Sequence, residues 1–330
     1  MDNSQKIAWL ALGGLLLAVC LAAVFEFGGP HRRQGDTITI LRGENAFQIA
    51  DDLKAEGYIK SKLLFLFEAA RSGNFKNLKF GEYDLKTLAA RQIIDVLVSG
   101  KTAARAVTVI PGQTARDIGQ SLAKAKIAAA DGFADAAENA ANYKDEFDFL
   151  QNLPADSGLE GYLFPDTYHV DPKADPASVI RAMLENFDGK LMPDMRNKVG
   201  AQKKSVNDVV IMASILEKEV KTLEDKKIVA GILWKRLKNK MPLQVDSSLL
   251  YYKISDGKTI DKDIDSPYNT YKYAGLPPGP ICNPGGDSLE AAIEPIDTSY
   301  WYYLSAPDGA TVFSKTYDEH LANIARYLNK

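Results

Sequence analysis

"VVIMASILEKEV", Val209 to Val220, is apolar almost all round for eight residues before Glu217 and Glu219 flank Lys218. A helix that is hydrophobic on every side belongs in a core, so this segment marks the centre of a globular body, and the two carboxylates at its end need a reason. Successive side chains turn by about 100°. The mean apolar direction then falls between Val209, Leu216 and Val220, with Glu217 and Glu219 on opposite edges and Lys218 pointing away. Periodicity does not choose between the acids. Both fit as boundary residues paired with nearby lysines or arginines. A carboxyl at the rim of an apolar patch also has its charged form disfavoured, as a general acid working near neutral pH requires.

The rest of the chain gives this helix its setting. With 330 residues, 46% apolar and 25% charged, the sequence is ordinary for a globular protein and long enough for two cores. A net charge of -3 lacks the basic excess of a nucleic-acid surface. Cys20 and Cys282 are the only cysteines, and His31, His169 and His320 lie far apart, so neither a disulfide framework nor a metal site is expected.

Ile7 to Phe25, "IAWLALGGLLLAVCLAAVF", is a run of 19 uncharged residues, about 28 Å as a helix, which matches the hydrocarbon core of a bilayer. It exceeds a usual signal-peptide core, no small-x-small cleavage site follows it, and Val19 stands where a lipoprotein signal wants a small residue. An uncleaved anchor is the reading. Lys6 precedes the run and Arg32 and Arg33 follow it, so the charge rule taken literally would keep the body inside, although long domains translocate largely regardless of flanking charge.

Behind the anchor the chain matches itself at an offset of 69, "ITILRGENAFQIADDLKAEGYI" from Ile38 against "VTVIPGQTARDIGQSLAKAKIA" from Val107. Each copy reads as a short strand, a turn at Gly43 or Gly112, and an amphipathic helix burying Ile49 and Leu53 or Ile118 and Leu122. The repeat is either duplicated scaffold or a pair of strand-turn-helix glycan-binding units. Between the copies, "FGEYDLKTLAARQIIDVLVSGK" adds a strand and a helix from near Thr87 to Gly100. Its "SGKT" is no P-loop, since Asp95 stands where glycine is needed and Gly100 reads as a helix cap. "AAADGFADAAENAANY" is Ala-rich and helix-prone, and "LPADSG" after it reads as a linker.

Chemistry concentrates beyond that linker. "LEGYLFPDTYHV" mixes Glu160 and Asp166 with aromatic rings, as a sugar groove or a buried turn would. "DSPYNTYKYAGLPPGPICNPGG" is a proline-stiffened loop suited to a cleft wall. "SYWYYLSAPDGATVFSKTYDEHLANIARYL" predicts a strand around Tyr302, a turn at Asp308 and Gly309, a second strand and a closing helix. The chain is therefore expected to be α+β: residues 1–6 before the membrane, a transmembrane helix over 7–25, a small α+β module over 37–150, and a mixed α+β domain over 157–330.

In order along the chain, "EGYLFPDTY", "ASILEKEV", "RLKNKMPLQVDSSLLYY", "SPYNTYKYAGLPPGPICNPG" and "DGATVFSKTYDEH" resemble the MltG/YceG-like family of endolytic murein transglycosylases. The resemblance spans nearly the whole chain. It implies a LysM-like N-terminal module and a catalytic domain that cleaves the bond between N-acetylmuramic acid and N-acetylglucosamine within peptidoglycan strands, leaving 1,6-anhydro ends. It also implies a single-pass inner-membrane protein with a cytoplasmic N-terminus and a periplasmic body, working beside peptidoglycan synthases to end strand elongation, with no cofactor and no metal. The first glutamate of the Ala-Ser-Ile-x-Glu-Lys-Glu segment, Glu217, is the implied catalytic residue, and Glu160, Asp166, Gln244, Asp246, Tyr268 and Asn269 are the implied groove residues. A lysozyme-like hydrolase using Glu160 or Asp246 as second carboxylate, and a non-catalytic glycan-binding scaffold, are the alternatives.

Overall fold

The structure is a computed structural model describing residues 37–328 apart from 42, 87, 192 and 254–261. The span expected over 7–25 and the segment before it lie outside these residues. Among the described residues no helix is long and apolar enough to cross a membrane. The described chain is a mixture of helices and short two-stranded sheets, the α+β class expected, and it divides into two compact bodies.

The first body runs to Arg105 and includes Asp171–Lys173. Strand β1 (Ile38–Ile40) is followed by helices α1 (Ala46–Ala55) and α2 (Lys62–Arg71), strand β2 (Gly81–Tyr83) and helix α3 (Ala90–Ser99). β1 and β2 pair antiparallel with Ile38 opposite Tyr83. Ile38, Ile40, Ile49, Leu53, Phe65, Tyr83, Ile93 and Leu97 form its core. Asn45 and Gln48 close a reciprocal cap on α1. Gly100 ends α3 at φ 72, the left-handed conformation of a C-cap, as expected for the "SGKT" stretch.

The second body comprises 106–170 and 174–330. β3 (Arg105–Thr108) pairs with β4 (Thr167–Val170), and between them lie α4 (Ala115–Lys124), α5 (Phe133–Ala137) and several single turns. α6 (Pro176–Lys190), α7 (Pro193–Ala201), α8 (Val206–Glu219), α9 (Leu223–Lys238), α10 (Asp246–Lys253) and α11 (Gly286–Ile293) follow. β5 (Tyr302–Ser305) and β6 (Thr311–Ser314) form an antiparallel hairpin ahead of α12 (Tyr317–Tyr327). This is the strand, turn, strand and helix read from the sequence.

Both copies of the repeat fold alike, but they belong to different bodies. Gly43 and Gly112 take φ values of 95 and 87, and the two helices bury Ile49 and Leu53, or Ile118 and Leu122, to 1% exposure or less. The compact division falls at Arg105, not in the linker near 150 where composition suggested a boundary. Pairing decides this: β3 joins β4, and Ile118 and Leu122 enter the same core as Phe133, Phe187 and the α8 side chains. The Ala-rich stretch also departs from expectation. It is broken into short turns about α5, because Gly132 sits at φ 79 and Asn139 caps a fresh turn with its side chain.

The opening segment is α8. Ser205 and Asp208 cap its start, and Val209 to Leu216 are all buried without interruption. Fully burying each aliphatic side chain stabilises the fold by roughly 1.5–3 kcal/mol. α8 packs against α7, α9, α10 and α11, which explains an apolar surface on every side. At its end Lys218 is exposed while Glu217 and Glu219 are partly buried, the arrangement the helical wheel predicts.

Candidate active site

Glu217 and Glu219 face different surroundings. The Lys226 ammonium on α9 lies 3.3 Å from both Glu217 oxygens, and the Lys226 and Glu217 side chains are 6% and 12% exposed respectively. Oε2 also accepts the Gly285 N–H at 3.0 Å and the Ser288 hydroxyl at 2.6 Å. Gly285 is the N-cap of α11 and has no side chain to cap with; by accepting its N–H, the Glu217 carboxylate sits at the positive end of that helix. This offsets its unfavourable position in the last turn of α8, where the dipole is negative. Oε1 is held by Lys226 alone among the described residues, leaving a lone pair for a further partner.

Two glycines lie beside Glu217. A Cβ on Gly112 would lie 3.8 Å from Glu217 Cγ, and one on Gly285 would lie 3.6 Å from Oε2 and 3.1 Å from Pro111. Those Glu217 distances are ordinary contacts, while Gly112, at φ 87, holds the left-handed conformation that favours glycine.

Glu219 is enclosed instead. The Tyr303 hydroxyl donates to its Oε2 at 3.1 Å. Burial pushes its pKa up, against the Tyr303 hydrogen bond and the neighbouring Ser247, which lower it. Arg236, 4% exposed, donates to the Trp301 and Leu243 carbonyl oxygens and so ties the start of β5, which carries Tyr303, to the segment before α10. Glu219 thus braces packed elements.

Of the other residues expected from the sequence, Glu160 and Tyr268 lie together on a cavity of about 880 Å³ that Ala115, Arg116, Tyr251 and Pro280 also line. The Tyr251 and Tyr268 rings are 5.4 Å apart. Glu160 accepts the Ala115 N–H, in the first turn of α4, at 3.2 and 3.1 Å and the Asn283 amide at 2.7 Å. Burial outweighs these donors and raises its pKa to about 7.

Asp166 belongs to a separate network. It accepts the Thr167 N–H and the Asn186 amide, bonds that hold its pKa low. Asn269 is fully buried, with its side chain committed to the Lys262 and Ile264 carbonyls and the Tyr271 and Lys272 amides. It shapes its own loop. Asp246 accepts the Tyr271 hydroxyl at 2.6 Å, and exposed Gln244 sits at φ 55 with its N–H on the Thr270 carbonyl. The structure therefore brings Glu160 and Tyr268 together and gives Asp166 and Asn269 local structural bonds.

Sequence reading missed Lys226, Ser288, Gly285 and above all Asn283. A lysine within an amphipathic helix carries no sign of its burial. Asn283 lies within the proline-stiffened loop, and its one signal in the sequence is a polar residue between Cys282 and Pro284 in an apolar, proline-rich stretch. Ser214 anchors this loop to α8, since its hydroxyl accepts the Ile281 N–H at 3.0 Å.

The YceG-like family pattern matches residues 38–326. An endolytic murein transglycosylase of Bacillus subtilis is 34% identical over 311 residues, covering 88% of this chain and 84% of that protein. One of Streptococcus pneumoniae is 31% identical over 326 residues, covering 89% of this chain but 58% of that longer protein. The crystal structure of a YceG-like protein from Listeria monocytogenes superposes with a TM-score of 0.59 at 31% identity, covering 88% of this chain and all of that one. Its motifs, its fold and these likenesses agree, and the chain belongs to the YceG-like family.

Proposed function

We propose that this chain is an endolytic peptidoglycan lytic transglycosylase with Glu217 as its acid and base. The names of its relatives supply the reaction class. The observation that carries the residue assignment is the asymmetry of Glu217: Lys226 contacts both oxygens, Oε2 is also pinned by Gly285 and Ser288, and Oε1 has no further partner among the described residues. A proton on Oε1 leaves both Oε2 bonds from Gly285 and Ser288 intact, so the carboxyl keeps its place in either protonation state.

In the reaction, Glu217 Oε1 donates its proton to the glycosidic oxygen as the bond to the muramic C1 breaks through an oxocarbenium-like state. The carboxylate then takes the proton from the muramic C6 hydroxyl, and O6 closes on C1. No water is consumed, and the carboxyl ends as it began. Lys226 compensates the negative charge between the two halves of the cycle.

The same proposal includes the anchor over 7–25, a periplasmic body at the inner membrane, a LysM-like N-terminal module, and action beside synthases on nascent strands. A lysozyme-like hydrolase is the second reading. Glu160 favours it, as a carboxyl that takes up a proton near neutral pH on a sizeable cavity. Digestion of purified sacculi distinguishes the two by mass. The proposal expects 1,6-anhydro-muramyl products lacking the extra water of hydrolysis, and free reducing ends in their place would overturn it.

A further inference from the structure

We propose that Asn283 is a positioning residue that couples Glu160 to the surroundings of Glu217, making the pair Glu160–Asn283 a second control point of the site. This rests on the assignment of Glu217 above.

Asn283 is completely buried and uses its whole hydrogen-bonding capacity. Its Oδ1 accepts the Gly161 and Leu163 amides at 2.8 and 3.0 Å, which fixes the orientation of the side-chain amide. Its Nδ2 donates to Glu160 Oε1 at 2.7 Å and to the Gln113 carbonyl at 3.0 Å. Its backbone N–H donates to that same Gln113 carbonyl, and its own carbonyl accepts the Gly112 N–H, each at 2.9 Å. One side chain therefore clamps three segments: 112–113, 160–163 and its own loop.

Two of those segments lie beside Glu217. A Cβ on Gly112 would come within 3.8 Å of its Cγ, and Gly285, two residues beyond Asn283, donates to its Oε2. Glu160 meanwhile faces the cavity. Charged Glu160 accepts from both Asn283 and Ala115 at the start of α4, whereas protonated Glu160 accepts those bonds only as a neutral carboxyl, without the charge that strengthens them. A change in its charge is thus felt at the hub that aligns Gly112 and Gly285. The other groups that act on Glu160 or share its surroundings are Asp117 on α4, Tyr251 on α10, and Tyr268 and Cys282 on the long loop. Arg116, Asp135, Glu138 and Asp156 line the same cavity.

The decisive variant is Asn283→Asp. It keeps the acceptor for Gly161 and Leu163 but turns the donor facing Glu160 into an oxygen, so two carboxyls must share a proton. The full chain is followed by carbon-13 NMR of its labelled carboxyls and by the pH dependence of sacculus cleavage. In the wild type, Glu160, assigned through Glu160→Gln, is expected to titrate near neutral pH, and Asn283→Asp moves that titration upward. Cleavage by Asn283→Asp should fall about 100-fold in kcat at pH 8, the scale of a 1 Å misalignment at a reacting centre, with KM changed less than threefold. It should recover at least tenfold at pH 6, where the pair retains its proton.

A loss equal at both pH values, or an unmoved Glu160 titration, would overturn the coupling. If the wild type cuts no sacculi, the transglycosylase reading fails, while the NMR titration still decides whether Asn283 governs Glu160.

Discussion

Glu217→Gln is expected to do two separable things, stop the chemistry and weaken the fold, and the second can be worked from the structure. Lys226 is 5% exposed and its ammonium contacts both Glu217 oxygens. Replacing the carboxylate by an amide removes the counter-charge and turns an N–H₂ group toward the ammonium. Orphaning one member of a buried ion pair costs about 3–5 kcal/mol. The 3.3 Å contacts are long for a charged pair, and Gly285 and Ser288 still find an acceptor in the amide oxygen, so about 3 kcal/mol is expected. For a body of this size that lowers the melting temperature by about 6–12 °C. Trp234 and Trp301 both lie in the second body, so intrinsic fluorescence during a thermal melt reads it directly. Lys226→Met removes the orphan, and the double variant should therefore be more stable than Glu217→Gln by about 1–3 kcal/mol while remaining inactive. A Glu217→Gln protein that melts with the wild type, or a double variant no more stable than it, would refute the reasoning.

Other outcomes follow from neighbouring residues. Glu219→Gln should retain more sacculus-cleaving activity than Glu217→Gln, because Glu219 is enclosed by Tyr303 and Ser247; the reverse ranking would move the assignment to Glu219. Glu160 binds its proton at about 7 in the fold against an ordinary 4.5. The native state thus holds the extra proton between those values, and its contribution to stability falls as pH rises through that window. Melting curves at pH 5 and pH 8 should show a smaller difference in Glu160→Gln than in the wild type, and an unchanged difference would contradict the shift. Gly161→Ala should cost about 3 kcal/mol or more, since Gly161 sits at φ 90 and a Cβ would meet Pro280 at 2.6 Å and Val210 at 2.7 Å. Denaturant unfolding measures that loss.

Local patterns were readable in this sequence where one element's own periodicity or turn chemistry decides the outcome. The buried run of α8, the repeated strand, glycine turn and helix, the Gly100 cap and the closing hairpin all belong to that class. The boundary at Arg105 was not, because it depends on which strand β3 pairs with, and that partner lies some sixty residues further on. The Ala-rich stretch misled for a related reason: alanine's helical preference of a few tenths of a kcal/mol per residue yields to a glycine at φ 79 and to local capping.

The site shows the same limit. Helical spacing set Glu217 and Glu219 on the rim of a core, but ranking them takes the groups arriving from elsewhere. Lys226 comes from the next helix, and Gly285 and Ser288 come from about seventy residues away. Asp166 and Asn269 carry side chains suited to a groove, yet their bonds are spent on Asn186 and on the 262–272 loop. Residue type says what a side chain can do, and only its partners say whether it is free to do it.

The most direct test of Glu217 as acid and base is the end-group composition of long, uncross-linked glycan strands treated with the full chain and with Glu217→Gln. Mass analysis should find new 1,6-anhydro-muramyl ends at internal cut sites with the wild type and none above background with the variant. Equal numbers of such ends from both proteins would contradict it.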